Sequence, residues 1–502
     1  MAQKNPYKDF TLDQSKTVSN GRVLHINVVV TCIWLLLVGM TAKGFAAGQN
    51  DSNDGWKHAD VIVSQIVIPT FPARNYDVRD FGAVSDGKTD CLPAIRKAID
   101  ACNMQGGGMV VVPAGVFFVK GPIHLKSHIN LVVSEGGTLR FSSEPEAYLP
   151  VVLTRWEGTE CFNYSPFIYA FGVTDIAITG KGTIDGNAEQ TFGIWKPNQK
   201  DDQLLLRQMG NDGVPLNERV FGKGHLLRPC MIQPYNCKNV LIEGVRIIDS
   251  PFWVIHPVLC YNVTVRNVNV TSTNLNNDGC DPEASVNVLI ENCEFNTGDD
   301  AIAIKAGRDQ DGWRIGQATE NIVIRNCQMN SKANGLCIGS EMSGGVRNIY
   351  MENCRVSNAA STIYFKANLD RGGFIENVWV RDIRVEKAWS RCIAFETNYP
   401  GYRGNHFPPV FNNFTIEDVV CKDGGKYAIF GEGVTESKLR NILLRNVTVE
   451  KAEVPYHIME AENFILDNVK VGGILLPKNP IMSKERIAPV EKIIYIKNDK
   501  EG

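Results

Sequence analysis

Residues 239–247 read "NVLIEGVRI", and the same pattern returns as "NVTVRNVNV" at 262, "NVLIENCEF" at 287 and "NIVIRNCQM" at 321. It continues as "NIYMENCRV" at 348, "NVWVRDIRV" at 377, "NFTIEDVVC" at 413, "NILLRNVTV" at 441 and "NFILDNVKV" at 463. Each copy begins with Asn, alternates apolar and polar residues, passes a second Asn, Asp or Gly, and alternates again. Alternation of period two specifies strands. The commonest steps are 22 to 29 residues, with longer ones where loops enter, and a recurring period in this range specifies a solenoid. No helical period runs through these copies, and leucine-rich spacing is absent. The expected fold is all-β, a single-stranded right-handed parallel β-helix. Its recurring Asn takes the left-handed turn conformation and hydrogen-bonds along the stack.

Working outward, "CLPAIRKAIDACNMQGGG" at 91–108 has apolar residues at helical spacing and ends in Gly. It predicts a short N-terminal helix capping the open end of the stack, which an exposed β-edge requires. After Val471 the period is lost, so residues 472–502 are expected as a C-terminal tail. At the other end, an apolar run from Ile26 to Met40 follows Lys4, Lys8, Lys16 and Arg22 and precedes the small residues Gly44 and Ala46. This reads as a signal peptide over 1–46, then a linker over 47–75 and the β-helix catalytic domain over 76–471. The protein is expected to be secreted or periplasmic and monomeric, with no membrane span after cleavage.

The 502 residues carry a net charge of −3, which gives no basic field for nucleic acid. Fourteen Cys are present, thirteen after the expected cleavage. That odd number, and placements such as Cys293, Cys327 and Cys354 within the repeats, read as small buried hydrophobes rather than a disulfide framework. No zinc spacing occurs.

Chemistry concentrates in "NNDGCDPE" at 276–283 and "NTGDDAIAIK" at 296–305. Asp278 precedes Asp299 by 21 residues, about one coil, so Asp278, Asp299 and Asp300 should share one face on adjacent rungs, with Asp281 and Glu283 close by. Carboxylates at such range push their pKa values apart. One keeps a proton and serves as a general acid, while the others orient and deprotonate water. That equipment suits glycoside hydrolysis. A Ca²⁺ site and a solvated ladder of turn acids are the alternatives the spacing leaves open. Trp253 and Trp313 read as sugar platforms or core. The insertion at 307–320 is expected to wall one end of a groove.

These two motifs, with "NGLCIGSEMSGGV" at 334–346 and "IYFKANLDRGG" at 363–373, resemble in this order glycoside hydrolase family 28, the polygalacturonase family. The likeness runs from about Tyr76 to about Val471. It implies a pectin-lyase-like solenoid and inverting hydrolysis of acidic plant cell-wall polysaccharide, without cofactor or metal. It also implies roles: Asp299 as general acid, Asp278 and Asp300 as the water-activating pair, and Lys366 as the grip on a galacturonate carboxylate. Two positions depart from the family pattern. Asn334 stands where that pattern has His, and Tyr364 where it has Arg. Both therefore join the expected substrate-binding set, with Arg371 and with His256, which is weighed evenly against a structural histidine. Arg308 and Arg347 are further candidate cations, and Lys305 reads equally as a site residue or a strand end. A hydrolase of rhamnogalacturonan or another decorated pectin is the nearest alternative. A calcium-dependent polysaccharide lyase and a non-catalytic carbohydrate-binding β-helix are the more distant ones.

Overall fold

The computed structural model describes residues 52–189 and 191–485. The signal peptide expected over 1–46 lies outside the described residues. The repeats become consecutive coils of a right-handed parallel β-helix. Along one face Val240 lies opposite Val263, followed by Val288, Ile322, Ile349, Val378, Phe414, Ile442 and Phe464. All of these are buried. The alternation in each copy thus sends every second side chain into one continuous core. A second face stacks Ile168, Ile232, Ile255, Cys280, Ile302, Leu336, Ile363, Ile393 and Ile429 in the same way. This second face carries the candidate site on its outer side.

The recurring Asn does what the pattern predicts. Asn239, Asn262, Asn287, Asn321, Asn348, Asn377 and Asn413 all have φ between 56° and 64°. Each passes its side-chain amide to the carbonyl of the Asn one coil earlier, for example Asn321 to Asn287 at 3.0 Å and Asn348 to Asn321 at 3.0 Å. The first member ends the chain on Asp175 at 2.8 Å. Beside it, the fifth residue of each copy alternates in sign: Glu243, Arg266, Glu291, Arg325, Glu352, Arg381, Glu417, Arg445 and Asp467 are register neighbours in that order. Arg266 meets Glu243 at 2.7 Å and Arg381 meets Glu352 at 2.6 Å. Such part-exposed pairs contribute little each, but a coil slipped by one position in the stack would set like charges face to face.

Helix α1 (Ser52–Gln65) lies inside the segment expected as a linker. Its Trp56, Ala59 and Ile62 pack on Leu289, Val323 and Tyr350 of the outer surface, and His58 Nδ1 hydrogen-bonds the Tyr350 hydroxyl at 3.0 Å. Trp56, Ala59 and Ile62 recur every three residues and form one helical stripe, which corrects the linker reading. Helix α2 (Leu92–Met104) is the expected cap. Its Ala94, Ile95, Ala98, Ile99 and Cys102 are buried, and the Asp90 carboxylate accepts from Leu92 N at 2.9 Å at its start. At the far end the tail turns back, with Ile474–Leu475 pairing antiparallel to Lys470–Val471 and Ser483 N donating to Ile458 O at 2.7 Å. The thirteen described cysteines are all free and buried. Among the described residues no helix is long and apolar enough to cross a membrane.

The ladder generates a prediction. Asn321→Ala loses two amide bonds and forces a β-carbon-bearing residue without a local polar partner into the left-handed region. It should cost about 2–4 kcal/mol. Asn321→Gly keeps the conformation and should cost less. Chemical denaturation of both variants measures the difference, and equal losses would contradict the conformational share.

Candidate functional site

The strand ends place the three aspartates. Asp278 precedes Cys280, Asp299 and Asp300 precede Ile302, and Cys280 bridges Ile302 in parallel. Their turns are therefore one rung apart, about 4.8 Å. One oxygen from each of the three carboxylates lies within 4.8 Å of the others. The turn settles this closely because of Gly298: a Cβ there would stand 1.9 Å from Asn274 O, so only glycine fits. The Asp299 carbonyl is fixed by Thr297 Oγ1 at 2.7 Å and Ser331 Oγ at 2.6 Å.

The three carboxyls differ in their surroundings. Asp278 is buried, and burial, the nearby Asp281 and then Asp299 push it well above the usual carboxylate range. Asp299 is half-buried at the cleft surface. Burial and then the charge of Asp300 raise it, against the pull of Lys366 and Lys305. Asp300 goes the other way. Burial works to raise it, but Lys366, then Lys305 and the Asn334 amide outweigh that and hold it below its ordinary value. Lys366 Nζ stands 3.4 Å from Asp300 Oδ2. Asn334 donates to Asp300 Oδ1 twice, from Nδ2 at 2.5 Å and from its backbone N at 3.1 Å.

The departures from the family pattern now have positions. Asn334 acts on Asp300, supplying a neutral donor. Tyr364 is buried, donates its hydroxyl to Glu396 and lies 5.1 Å beneath the Arg391 guanidinium. Lys366 sits 5.4 Å from the Tyr364 ring and 5.4 Å from the Tyr399 ring. Arg371 lines the cleft, but its guanidinium is held by Asp309 Oδ1 at 2.6 Å and Ser340 O at 2.7 Å. His256 does not line the cleft. It is fully buried beneath Trp253, with ring centroids 4.8 Å apart, and bonded to Glu283 at 2.8 Å and to the Gln233 amide at 2.9 Å. It is a structural histidine, since an outward-facing position on the strand is still buried where the chain folds over it. Arg347 is likewise engaged elsewhere, at 2.6 Å from Glu320.

The cleft spans about 800 Å³ with the open solvent at its mouth included. The insertion at 307–320 forms helix α4, after helix α3 (Lys200–Asn211), and spans Asp309–Ile315. Arg308, just before α4, lines the cleft as the expected wall. Sequence reasoning missed the rest of the wall: Glu157, Lys196, Gln203, Arg207, Glu341 and Tyr399. For Lys196, Gln203 and Arg207 the signal available was the long run between "GTIDG" and "RPCMI" that carries no repeat.

The three carboxylates also form an oxygen-rich donor set of the kind a hard cation takes. Positive charge is already supplied there by Lys366 against Asp300 and by Lys305, whose Nζ stands 3.8 Å from Asp278 Oδ2.

The raised acids have a stability consequence. A carboxyl whose folded pKa lies above its unfolded value contributes stability below the unfolded pKa and loses it as pH rises through the folded pKa. Asp299→Asn removes that penalty. It should raise the melting temperature at pH 7 and change it little at pH 3.5, where the carboxyl is protonated in both states. Calorimetry at the two pH values tests this, and an equal shift at both would contradict the raised pKa.

The model of glycosyl hydrolases family 28 matches residues 102–453. A probable polygalacturonase of Vitis vinifera is 28% identical over 410 residues, covering 78% of this chain and 78% of its own length. An exo-poly-alpha-D-galacturonosidase of Dickeya chrysanthemi is 25% identical over 458 residues, covering 85% of this chain and 70% of its own. The crystal structure of a hyperthermoactive exopolygalacturonase from Thermotoga maritima aligns with a TM-score of 0.81 at 41% identity, over 84% of this chain and 97% of that one. With that family's model matched across most of the coiled domain, the chain belongs to glycosyl hydrolases family 28.

Proposed function

We propose that this protein hydrolyses glycosidic bonds in galacturonate-containing pectic chains, with Asp299 as general acid and Asp278 and Asp300 as the pair that holds the attacking water. The observation that carries this is the opposed environment of adjacent residues. Lys366, then Lys305 and Asn334, hold Asp300 below its ordinary value, while burial and then the Asp300 charge raise Asp299 and favour its protonated form. Asp299 gives its proton to the leaving glycosidic oxygen as the bond to the anomeric carbon breaks. Water adds its oxygen to that carbon and passes a proton to the Asp278–Asp300 pair, from which the acid is restored through solvent. Lys366, between two tyrosine rings, meets the carboxylate of an acidic sugar as a point charge.

The stereochemistry we infer is inversion. Two carboxylates as close as these match the spacing of retaining sites better than that of most inverting ones. What favours inversion is the third carboxylate, which lets two acids share one water while Asp299 keeps the acid role. We also read the action as exo. The hairpin turn at Glu157, α3 and Arg308 before α4 wall the cleft on one side, and the Thermotoga maritima neighbour is itself an exopolygalacturonase. Export, expected from the signal peptide over residues 1–46, suits a polymer too large to enter a cell.

On polygalacturonate the wild type should release reducing ends without absorbance near 235 nm, and chelator should leave the rate unchanged. Chelator-sensitive absorbance would make it a lyase. Asp299→Asn should lower kcat by about 10²- to 10⁴-fold while trigalacturonate still binds. Product sizing should show monosaccharide from the first time point, and a ladder of oligomers would refute the exo reading.

A further inference from the structure

A uronic-acid polymer carries one carboxylate on every sugar, so a cleft that seats a sugar on each side of the scissile bond meets two of them. Lys366 lies on the rung of Ile363, two rungs after that of Ile302. The wall segment 191–219 leaves the stack before the rung of Ile232, which lies two rungs before that of Cys280. Lys366 stands against Asp300, while the wall segment brings Lys196, Gln203 and Arg207 to the same cleft from a different part of the chain.

Most charges on the wall are already matched. Glu157 Oε2 accepts from Gln203 Nε2 and Arg207 Nη2, both at 2.7 Å. Glu341 meets Arg308, and meets Lys305 at 3.4 Å. Arg371 is held by Asp309. Two groups are left over. Lys196 lines the cleft, half-buried, with no ion-pair partner among the described residues. Arg207 Nε is buried with no acceptor among the described residues. Burial depresses the Lys196 ammonium; Glu157 opposes this, Arg228 adds to it, and Asp299 and Arg207 follow with smaller effects of opposite sign. The arrangement lacks one anion.

We propose that Lys196 and Arg207 Nε clamp the carboxylate of the uronic-acid residue bound on the wall side of the scissile bond. A free carboxylate there is then a requirement separate from the one met by Lys366. This deepens, and rests on, the hydrolase reading above, and it assigns the cation to a segment outside the repeat.

The test compares wild type, Lys196→Met and Lys196→Arg on trigalacturonate and on its trimethyl ester. Lys196→Met should lower kcat/KM on the free acid by about 10- to 100-fold, the range of a charge-assisted hydrogen bond. On the ester it should change kcat/KM by less than about 3-fold, because the group it would meet is neutral. Lys196→Arg should recover most of the loss. A second arm measures trigalacturonate binding by calorimetry to Asp299→Asn, alone and combined with Lys196→Met. A loss of about 10-fold or more on adding Lys196→Met supports the clamp even if the wild type turns nothing over, in which case the hydrolase reading alone fails. Equal affinities, no binding by Asp299→Asn, or equal kinetic losses on acid and ester overturn the clamp.

Discussion

Each coil hydrogen-bonds to the next at one strand spacing, and the rest of the molecule depends on that. The spacing converts an interval of 21 residues in the chain into neighbouring carboxylates in space. It also converts a recurrent Asn into a continuous amide ladder, in which each member satisfies the one beside it. The ladder fixes where every coil turns, and the turns carry the acids. Gly298 shows how tightly this holds, since its turn rests against Asn274 O with no space for a side chain.

On that frame the site is a problem of charge placed out of water. Three carboxylates at this range cannot all ionise cheaply. The fold resolves the conflict by giving Asp300 a lysine and an amide that outweigh its burial, while at Asp278 and Asp299 burial and the neighbouring carboxylates outweigh the nearby lysines. Asn334, where the resemblance expects a histidine, donates to Asp300 without being a titrating group. Tyr364 removes a cation from beside Lys366 but adds an aromatic wall to it. The wall segment then supplies positive charge from a different part of the chain.

The coil, its capping helix and the aspartate cluster were legible in the sequence because stacking makes them periodic or nearly so. Asp278 and Asp299 could be brought together from their interval alone. Of the closing wall, only the part at the 307–320 insertion was legible. Glu157 meets Arg207 across 50 residues, a separation set by an inserted segment with no relation to the repeat, whereas Arg308 meets Glu341 across 33, close to the lengthened coil that pairs Ile302 with Leu336. His256 was undecided for a related reason. Its strand position points outward, and only the segment folded over that face, with Gln233 and Glu283 beside it, makes it a buried group. Helix α1 escaped because a single short apolar stripe outside the repeat is a weak signal until the surface that receives it, Leu289, Val323 and Tyr350, is known. The alternating Glu and Arg at the fifth position of the repeats was printed in the sequence, but it acquires meaning only when the copies are stacked.

The central claim is that one of three adjacent aspartates protonates the leaving group while the other two direct a single water. Time-resolved proton NMR of trigalacturonate cleavage, read before the sugar mutarotates, tests it most directly. The account predicts that the first-formed reducing end has the anomeric configuration opposite to that of the bond cleaved. Retention of configuration would mean that an aspartate attacks the sugar as a nucleophile, and would contradict the shared-water assignment of Asp278 and Asp300.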